Sequence, residues 1–209
     1  MAHIGGEVHA NRLARKWLSM VARFGQRPAA ERWRETETLI SVRGTDVERW
    51  SEPENLKTTW ARRAQVAARL ILPNTRLLDL GCGAMDLESF LDPSVTYIPA
   101  DVVRRDERTL ICDLNAGTLP QIHVEVITLL RVLEYIHDVA DPFERLRQMQ
   151  AAVICSYNPV GLGSTSRREQ GWFNDFTSAE LCAKAVKAGF RLVGLVTIAP
   201  QNLYEFFPD

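Results

Sequence analysis

The sequence has little of what marks membrane proteins, disulfide-rich proteins and metal sites. No stretch approaches the roughly 20 consecutive apolar residues that a membrane-spanning helix needs. The 4 cysteines are scattered without a Cys-x-x-Cys pair, which predicts buried thiols in a reducing compartment. His3 and His9 stand too far from other ligand residues to suggest a metal centre. We therefore expect a cytoplasmic protein with no metal ion and no membrane association.

Net charge is also small, at −1 over 209 residues, but the charges are unevenly placed. Residues 1–70 hold 13 Lys and Arg against 8 Asp and Glu, whereas residues 71–209 hold 12 against 18. Four of the 5 tryptophans also lie in the first segment. A hydrophobic content of 46% is typical of globular proteins. These features predict a helical N-terminal cap over residues 1–64 and a second domain over residues 65–209.

The two segments differ in their hydrophobic rhythm. Apolar residues at helical spacing predict helices over residues 10–24 and 56–71, and residues 29–40 are polar and compatible with a helix. Beyond residue 74, short apolar runs alternate with helix-compatible stretches at 84–91, 131–137, 141–151 and 177–188. This alternation predicts an α/β fold with a doubly wound, mostly parallel sheet that closes in an antiparallel hairpin. The predicted strands are 75–80, 95–103, 108–114, 124–130, 152–157, 190–199 and 202–207.

A glycine-rich turn follows the first predicted strand, in the run L-L-D-L-G-C-G at residues 77–83. Gly81 and Gly83 allow unusual backbone angles and a close approach of a ligand to the main chain. Asp79 precedes the turn, and Asp101 ends the next predicted strand 22 residues later. An acid at about that distance holds the ribose diol in nucleotide-binding folds. Asp113 and Leu114 at the third strand end place a carboxylate and an apolar side chain near an adenine ring.

The kind of cofactor is indicated by the residue at the sixth position of the turn. A dinucleotide fingerprint requires a third glycine there, but this chain has Asp86. A carboxylate at that position would repel a pyrophosphate at the start of the following helix. An acidic pocket instead favours a cationic cofactor without phosphate groups.

The segment at 77–83 resembles the first motif of the class I S-adenosylmethionine-dependent methyltransferases. Asp101 matches the ribose-binding acid of that family, and C-D-L at 112–114 resembles its adenine-contacting motif. Residues 126–138 look like its fourth-strand motif, and 189–193 resemble its last helix–strand junction. The resemblance covers about residues 65–209. It departs from the family at Met85, where a third glycine is common.

This resemblance implies a Rossmann-like seven-stranded sheet with the last strand antiparallel, and methyl transfer from S-adenosylmethionine with S-adenosylhomocysteine as product. We expect a small-molecule acceptor. His137 and Tyr157 follow the fourth and fifth predicted strands and are candidate catalytic residues. The candidate cofactor-binding residues are Arg63, Asp79, Gly81, Cys82, Gly83, Asp101, Val102, Asp113, Leu114 and Arg131.

Several alternatives remain open at this stage. The basic N-terminal segment suits a lid over the acceptor best, but it also suits a partner surface or a mitochondrial presequence. Arginine and tryptophan together also suit a nucleic-acid contact, although interleaved acids disfavour it. The alternative functions are therefore an RNA or protein methyltransferase and a non-catalytic module that binds the cofactor or a partner.

Overall fold

The strands of the protein join in one sheet in the computed structural model, which describes residues 28–56, 61–162 and 166–209. Their order across the sheet is third, second, first, fourth, fifth, seventh, sixth. The strands are β1 (Arg76–Leu80), β2 (Thr96–Asp101), β3 (Leu110–Ile111), β4 (Val126–Leu130), β5 (Ala152–Tyr157), β6 (Phe190–Ile198) and β7 (Gln201–Pro208).

Strands β1 to β5 pair in parallel, and β7 lies antiparallel between β5 and β6. The predicted seven-stranded α/β sheet with its last strand antiparallel is therefore confirmed. The parallel strands form because their continuous apolar runs are buried on both faces of the sheet, as the burial of Leu77, Leu78 and Ile127 shows. Parallel pairing brings the carboxyl ends of β1, β2 and β4 to one edge.

Five helices accompany the sheet in the described residues, and two of them precede the first strand at a distance from it. The first two are joined by a short loop, and the third directly precedes the β1 region. The capping box predicted at Thr177 and Glu180 is present at the start of the last helix. The helices are α1 (Ala29–Val42), α2 (Val47–Ser51), α3 (Ala61–Ala68), α4 (Ala140–Gln148) and α5 (Ser178–Lys187).

The core has two parts. The larger contains Phe143 of α4 and Leu181 of α5 together with residues of β1, β4, β5 and β7. The smaller joins Ala64 and Ala67 of α3 to Leu77 of β1 and to the β5 and β7 region. Because α3 packs on the sheet in this way, position 64, the expected end of the cap, falls inside a helix that belongs to the core.

Two predicted helices are replaced by 3-10 helices of three residues. The stretch 84–91 contains only Glu88–Phe90, and 131–137 contains only Leu133–Tyr135. Both predictions of an α-helix are wrong for the same reason. Leu91 and Ile136, which follow the two 3-10 turns, have extended backbone angles with ψ of 154° and 128°, so neither turn continues as a helix.

The predicted helix at 10–24 lies outside the described residues. None of the helices that the structure does describe is long and apolar enough to cross a membrane.

Candidate functional site

A cleft opens at the carboxyl edge of the sheet. Its volume is about 1010 Å³, counting the mouth that is open to solvent. The wall comes from the ends of β1, β2 and β4, the residues after β3, and the segment between α1 and α3. All ten candidate cofactor-binding residues from the sequence lie in this wall, so the structure brings them together in one place.

The glycine turn is fixed by main-chain hydrogen bonds to the neighbouring strand. Gly81 and Cys82 both donate from their backbone N–H groups to the carbonyl of Ala100, at 2.8 and 3.1 Å. Gly81 and Gly83 have φ angles of 74° and 53°, which favour glycine. Met85 takes a similar angle at the position where a third glycine is common, so the turn keeps this conformation without that glycine.

Asp79 lies at the floor of the cleft and is buried. Tyr97 and Thr128 donate hydroxyl hydrogen bonds to its two carboxylate oxygens, at 2.8 and 2.7 Å. Burial raises the pKa of Asp79 to about 6, and the charge of Asp101 acts in the same direction. These hydrogen bonds and Arg63 limit the rise because they favour the ionised form.

Asp101 ends β2 and is surrounded by donors. The backbone N–H groups of Gly83 and Val103 donate to it at 2.9 and 3.1 Å. Arg105 donates to both of its oxygens, at 3.3 and 3.2 Å. The same guanidinium also donates to the carbonyl of Trp50 at 2.8 Å, which ties α2 to the end of β2.

Asp113 follows β3 and is contacted by the loop between α1 and α2. Thr45 donates its hydroxyl hydrogen to Asp113 Oδ1 at 2.9 Å. Asn115 donates an amide hydrogen to the Thr45 hydroxyl at 3.2 Å and another to the Tyr135 carbonyl at 2.9 Å. Leu114 adds a buried apolar surface beside these polar groups. The result is a pocket with one carboxylate and an apolar wall.

Arg63 of α3 and Arg131 after β4 bring positive charge to the same cleft. Burial is the main reason that the pKa of Arg63 falls to about 10, and the nearby charge of Arg131 adds to this effect. Arg63 lies near Gln201, with an Nη1–Oε1 distance of 3.4 Å.

His137 and Tyr157, the candidate catalytic residues, are not in the wall of the cleft within the described residues. His137 stacks on Phe173 with a centroid distance of 4.4 Å, and its Nε2 lies 2.9 Å from the carbonyl oxygen of Gly44. Tyr157 is fully buried, and its hydroxyl lies 2.6 Å from Asn174 Oδ1 and 2.7 Å from Arg167 Nη2. Both side chains hold loops in place, and neither faces the cleft.

Thr45, Trp50, Arg105 and Tyr135 are four of the wall residues that are not among the candidates from the sequence. Three of them depend on contacts between the N-terminal segment and the sheet edge, which no local pattern reveals. The sequence offered one indication for Arg105, which lies four residues beyond the acid at the end of β2.

The described residues contain no group of three or more His, Cys, Asp or Glu side chains placed to hold a metal ion. Burial raises the pKa of the Cys112 thiol to about 12 and also raises that of Cys82, so these two cavity thiols are protonated at neutral pH.

Comparison with solved structures identifies the fold. The chain has the methyltransferase fold. It is 20% identical to CalO1, a methyltransferase of calicheamicin biosynthesis in its S-adenosylhomocysteine-bound form, with a TM-score of 0.60. The match covers 75% of this chain and 56% of CalO1, so the chain spans little more than half of that relative.

Two further structures share the fold at a similarly low sequence identity. Human N-acetylserotonin methyltransferase, in complex with S-adenosylmethionine, is 17% identical over 77% of this chain and 56% of its own, with a TM-score of 0.59. The 1,6-didemethyltoxoflavin-N1-methyltransferase of Burkholderia thailandensis is 16% identical over 71% and 77%, with a TM-score of 0.57. No family model matches the chain, and no curated protein matches it in sequence.

Proposed function

We propose that this protein transfers a methyl group from S-adenosylmethionine to a small-molecule acceptor. The observation that carries the proposal is the convergence of Asp79, Asp101 and Asp113 with the glycine turn on one cleft. Each is placed by the end of a different parallel strand, at the edge where ligands bind in open α/β sheets. The relatives that share the fold support it, because their structures hold this cofactor or its product.

The wall of the cleft fits the chemical groups of this cofactor. Asp101 would accept hydrogen bonds from the ribose diol, and Asp113 and Leu114 would contact the adenine. The close approach that Gly81 and Gly83 allow, together with the guanidinium of Arg63, suits the methionine carboxylate. The negative charge of Asp79 lies at the floor, where it would favour a cationic ligand.

When bound, the cofactor supplies a methyl group on a positively charged sulfur, which departs with the bonding electron pair. The residues of the cleft would then mainly align the acceptor with that carbon, and alignment of this kind is worth about 7–11 kcal/mol. This accounts for a cleft that needs no dedicated catalytic signature. We further propose that the segment before α3 caps the cleft, that α3 and the residues after it form the cofactor-binding domain, and that the protein acts in the cytoplasm.

Calorimetric titration with S-adenosylmethionine, S-adenosylhomocysteine and NAD tests the proposal. We expect the first two to bind and NAD not to bind. Asp101→Asn should weaken S-adenosylhomocysteine binding by about tenfold or more, since charge-assisted hydrogen bonds contribute about 1.5–3 kcal/mol. Asp92→Asn, at an exposed acid before β2, is the matched control.

Four outcomes would contradict the proposal or part of it. Binding of NAD alone would overturn the cofactor assignment, and unchanged affinity in Asp101→Asn would overturn the ribose contact. Tight cofactor binding without methyl transfer to any small acceptor would favour the non-catalytic alternative. Transfer to RNA or to a protein instead would replace the acceptor class.

A further inference from the structure

The loop between α1 and α2 reaches the wall of the cleft at the residues that follow β3. Thr45 lines the cleft beside Asp113 and donates its hydroxyl hydrogen to Asp113 Oδ1 at 2.9 Å. The backbone N–H groups of Asn115 and Ala116 donate to the same oxygen, at 2.9 and 3.3 Å. Asp113 Oδ2 accepts no hydrogen bond from the described residues. One oxygen is therefore held by three donors, and the other is left for a ligand.

The Thr45 hydroxyl is itself oriented by a chain of hydrogen bonds. Asn115 Oδ1 accepts from the backbone N–H of His137 at 3.0 Å, and Asn115 Nδ2 donates to the carbonyl of Tyr135 at 2.9 Å. These two contacts fix which end of the Asn115 amide is the donor. The same Nδ2 group donates to Thr45 Oγ1 at 3.2 Å. Because a carboxylate oxygen only accepts, the hydroxyl hydrogen of Thr45 must point to Asp113.

A second contact anchors the same loop at the neighbouring residue. The carbonyl oxygen of Gly44 can only accept, so His137 Nε2 donates the hydrogen bond of 2.9 Å that joins them. The His137 ring is held in turn by its stacking on Phe173. The loop is therefore fixed at two consecutive residues, Gly44 and Thr45, by groups that follow β3 and β4.

We propose that Thr45 is a positioning residue for the adenine ring of the cofactor. Its hydrogen bond turns the Asp113 carboxylate so that Oδ2 accepts a hydrogen bond from the exocyclic amino group of adenine. A carboxylate fixed in this way favours an amino group over a carbonyl oxygen, because an oxygen there would be an acceptor facing an acceptor. This inference rests on the proposed function and deepens it, since it gives the segment before α3 a part in cofactor recognition.

The matched probes are S-adenosylhomocysteine and S-inosylhomocysteine, which carries a carbonyl oxygen where adenine has its amino group. Each is titrated calorimetrically into the full chain. We expect the unmodified protein to bind S-adenosylhomocysteine at least about tenfold more tightly. Thr45→Val should reduce this preference to about threefold or less, because the carboxylate is no longer fixed. Thr45→Ser should keep the preference, because the hydroxyl donor remains.

Thr38→Val is the control, because Thr38 is an exposed threonine of α1 whose hydroxyl bonds to the carbonyl of Arg34. Equal binding of the two probes to the unmodified protein would overturn the inference. So would a preference that Thr45→Val leaves unchanged, a Thr45→Ser variant that behaves like Thr45→Val, or a loss of affinity by the same factor for both probes, which is the effect of a loop support alone. Failure of S-adenosylhomocysteine to bind to the unmodified protein counts against the proposed function, whereas its binding followed by one of these results counts only against the role of Thr45.

Discussion

At the scale of single residues, Gly81 shows how one position can serve two requirements. In the sequence, a glycine at this position indicates that a ligand approaches the main chain closely. The structure adds a second reason, since a Cβ at Gly81 would lie 2.4 Å from Cγ2 of Val132. The packing of the protein therefore requires glycine at residue 81, whether or not a ligand is bound there.

We expect Gly81→Ala to lower the free energy of unfolding by about 2–3 kcal/mol, from overpacking and from its positive φ. Gly83→Ala should cost only about 1 kcal/mol, because its Cβ would meet nothing closer than Leu56 Cδ2 at 3.8 Å. The double variant Gly81→Ala/Val132→Ala should recover the part of this loss that comes from the clash with the Val132 side chain. Urea denaturation measures all of these variants. A double variant no more stable than the sum of its single changes would contradict the steric explanation.

The strand-end acids were predictable because each depends on a local pattern, an apolar run followed by Asp. Asp79, Asp101 and Asp113 all reach the cleft for that reason. The partners of these acids were not predictable in the same way. Arg105 meets Trp50 across 55 positions of the chain, and Thr45 meets Asp113 across 68. Contacts at such separations follow from how the N-terminal segment lies on the sheet.

At the scale of elements, strands were easier to predict than the connections between them. Strands β1, β4 and β5 lie within two residues of their predicted limits because their apolar runs are buried on both faces. The predicted strand 108–114 shrinks to Leu110–Ile111, since it pairs with β2 alone at the edge of the sheet. The connections at 84–91 and 131–137 have residues that are compatible with helices, which is why helices were predicted there. Tertiary contacts hold both stretches in turns.

Helices α1 and α2 are connected to the rest of the structure through a few specific contacts. Thr36 of α1 donates to the carbonyl of Arg168 at 2.7 Å, and Glu37 pairs with the Arg168 side chain at 2.9 Å. Arg105 joins α2 to Asp101 through its hydrogen bonds to the Trp50 carbonyl and the Asp101 carboxylate. If Asp101 binds the ribose, the ribose hydroxyls must compete with the two hydrogen bonds that Arg105 donates to Asp101.

We therefore expect Arg105→Leu to bind S-adenosylhomocysteine several-fold more tightly than the unmodified protein, because Asp101 then has no side-chain donor that the ribose must displace. The loss of the bond to the Trp50 carbonyl should also make residues 44–56 exchange amide hydrogens faster. Calorimetry and hydrogen exchange measure the two effects. Arg104→Leu, at the exposed neighbouring position, is the control. Weaker binding in Arg105→Leu would show that Arg105 itself contacts the cofactor.

At the scale of the whole molecule, buried carboxylates couple stability to pH. Asp79 and Glu134 are both buried, and burial raises the pKa of both. Glu134 Oε1 accepts a hydrogen bond from the backbone of Asn158 at 2.9 Å, whereas Oε2 accepts none within the described residues. A raised pKa means that the folded protein holds the proton more tightly than the unfolded chain does.

For Asp79 the sign can be worked out from its values. The pKa is 3.8 for the ordinary group and about 6 in the folded protein. Between these values the folded state binds more protons, so stability must fall as pH rises. The stabilisation is fully present below the ordinary pKa and is lost as pH passes through about 6.

The contribution of Asp79 is therefore measured as a difference between two proteins. Asp79→Asn removes the titrating group. The free energy of unfolding of this variant, relative to that of the unmodified protein, should therefore rise with pH between about 4 and 7. This difference in the free energy of unfolding should increase by up to about 3 kcal/mol, because each unit of pKa shift corresponds to roughly 1.4 kcal/mol. Glu144→Gln, at an exposed acid of α4, should show almost no such trend. Urea denaturation across this pH range measures the free energies of unfolding. A difference that stays constant would mean that Asp79 is ionised throughout, stabilised by Tyr97, Thr128 and Arg63 more strongly than burial destabilises it.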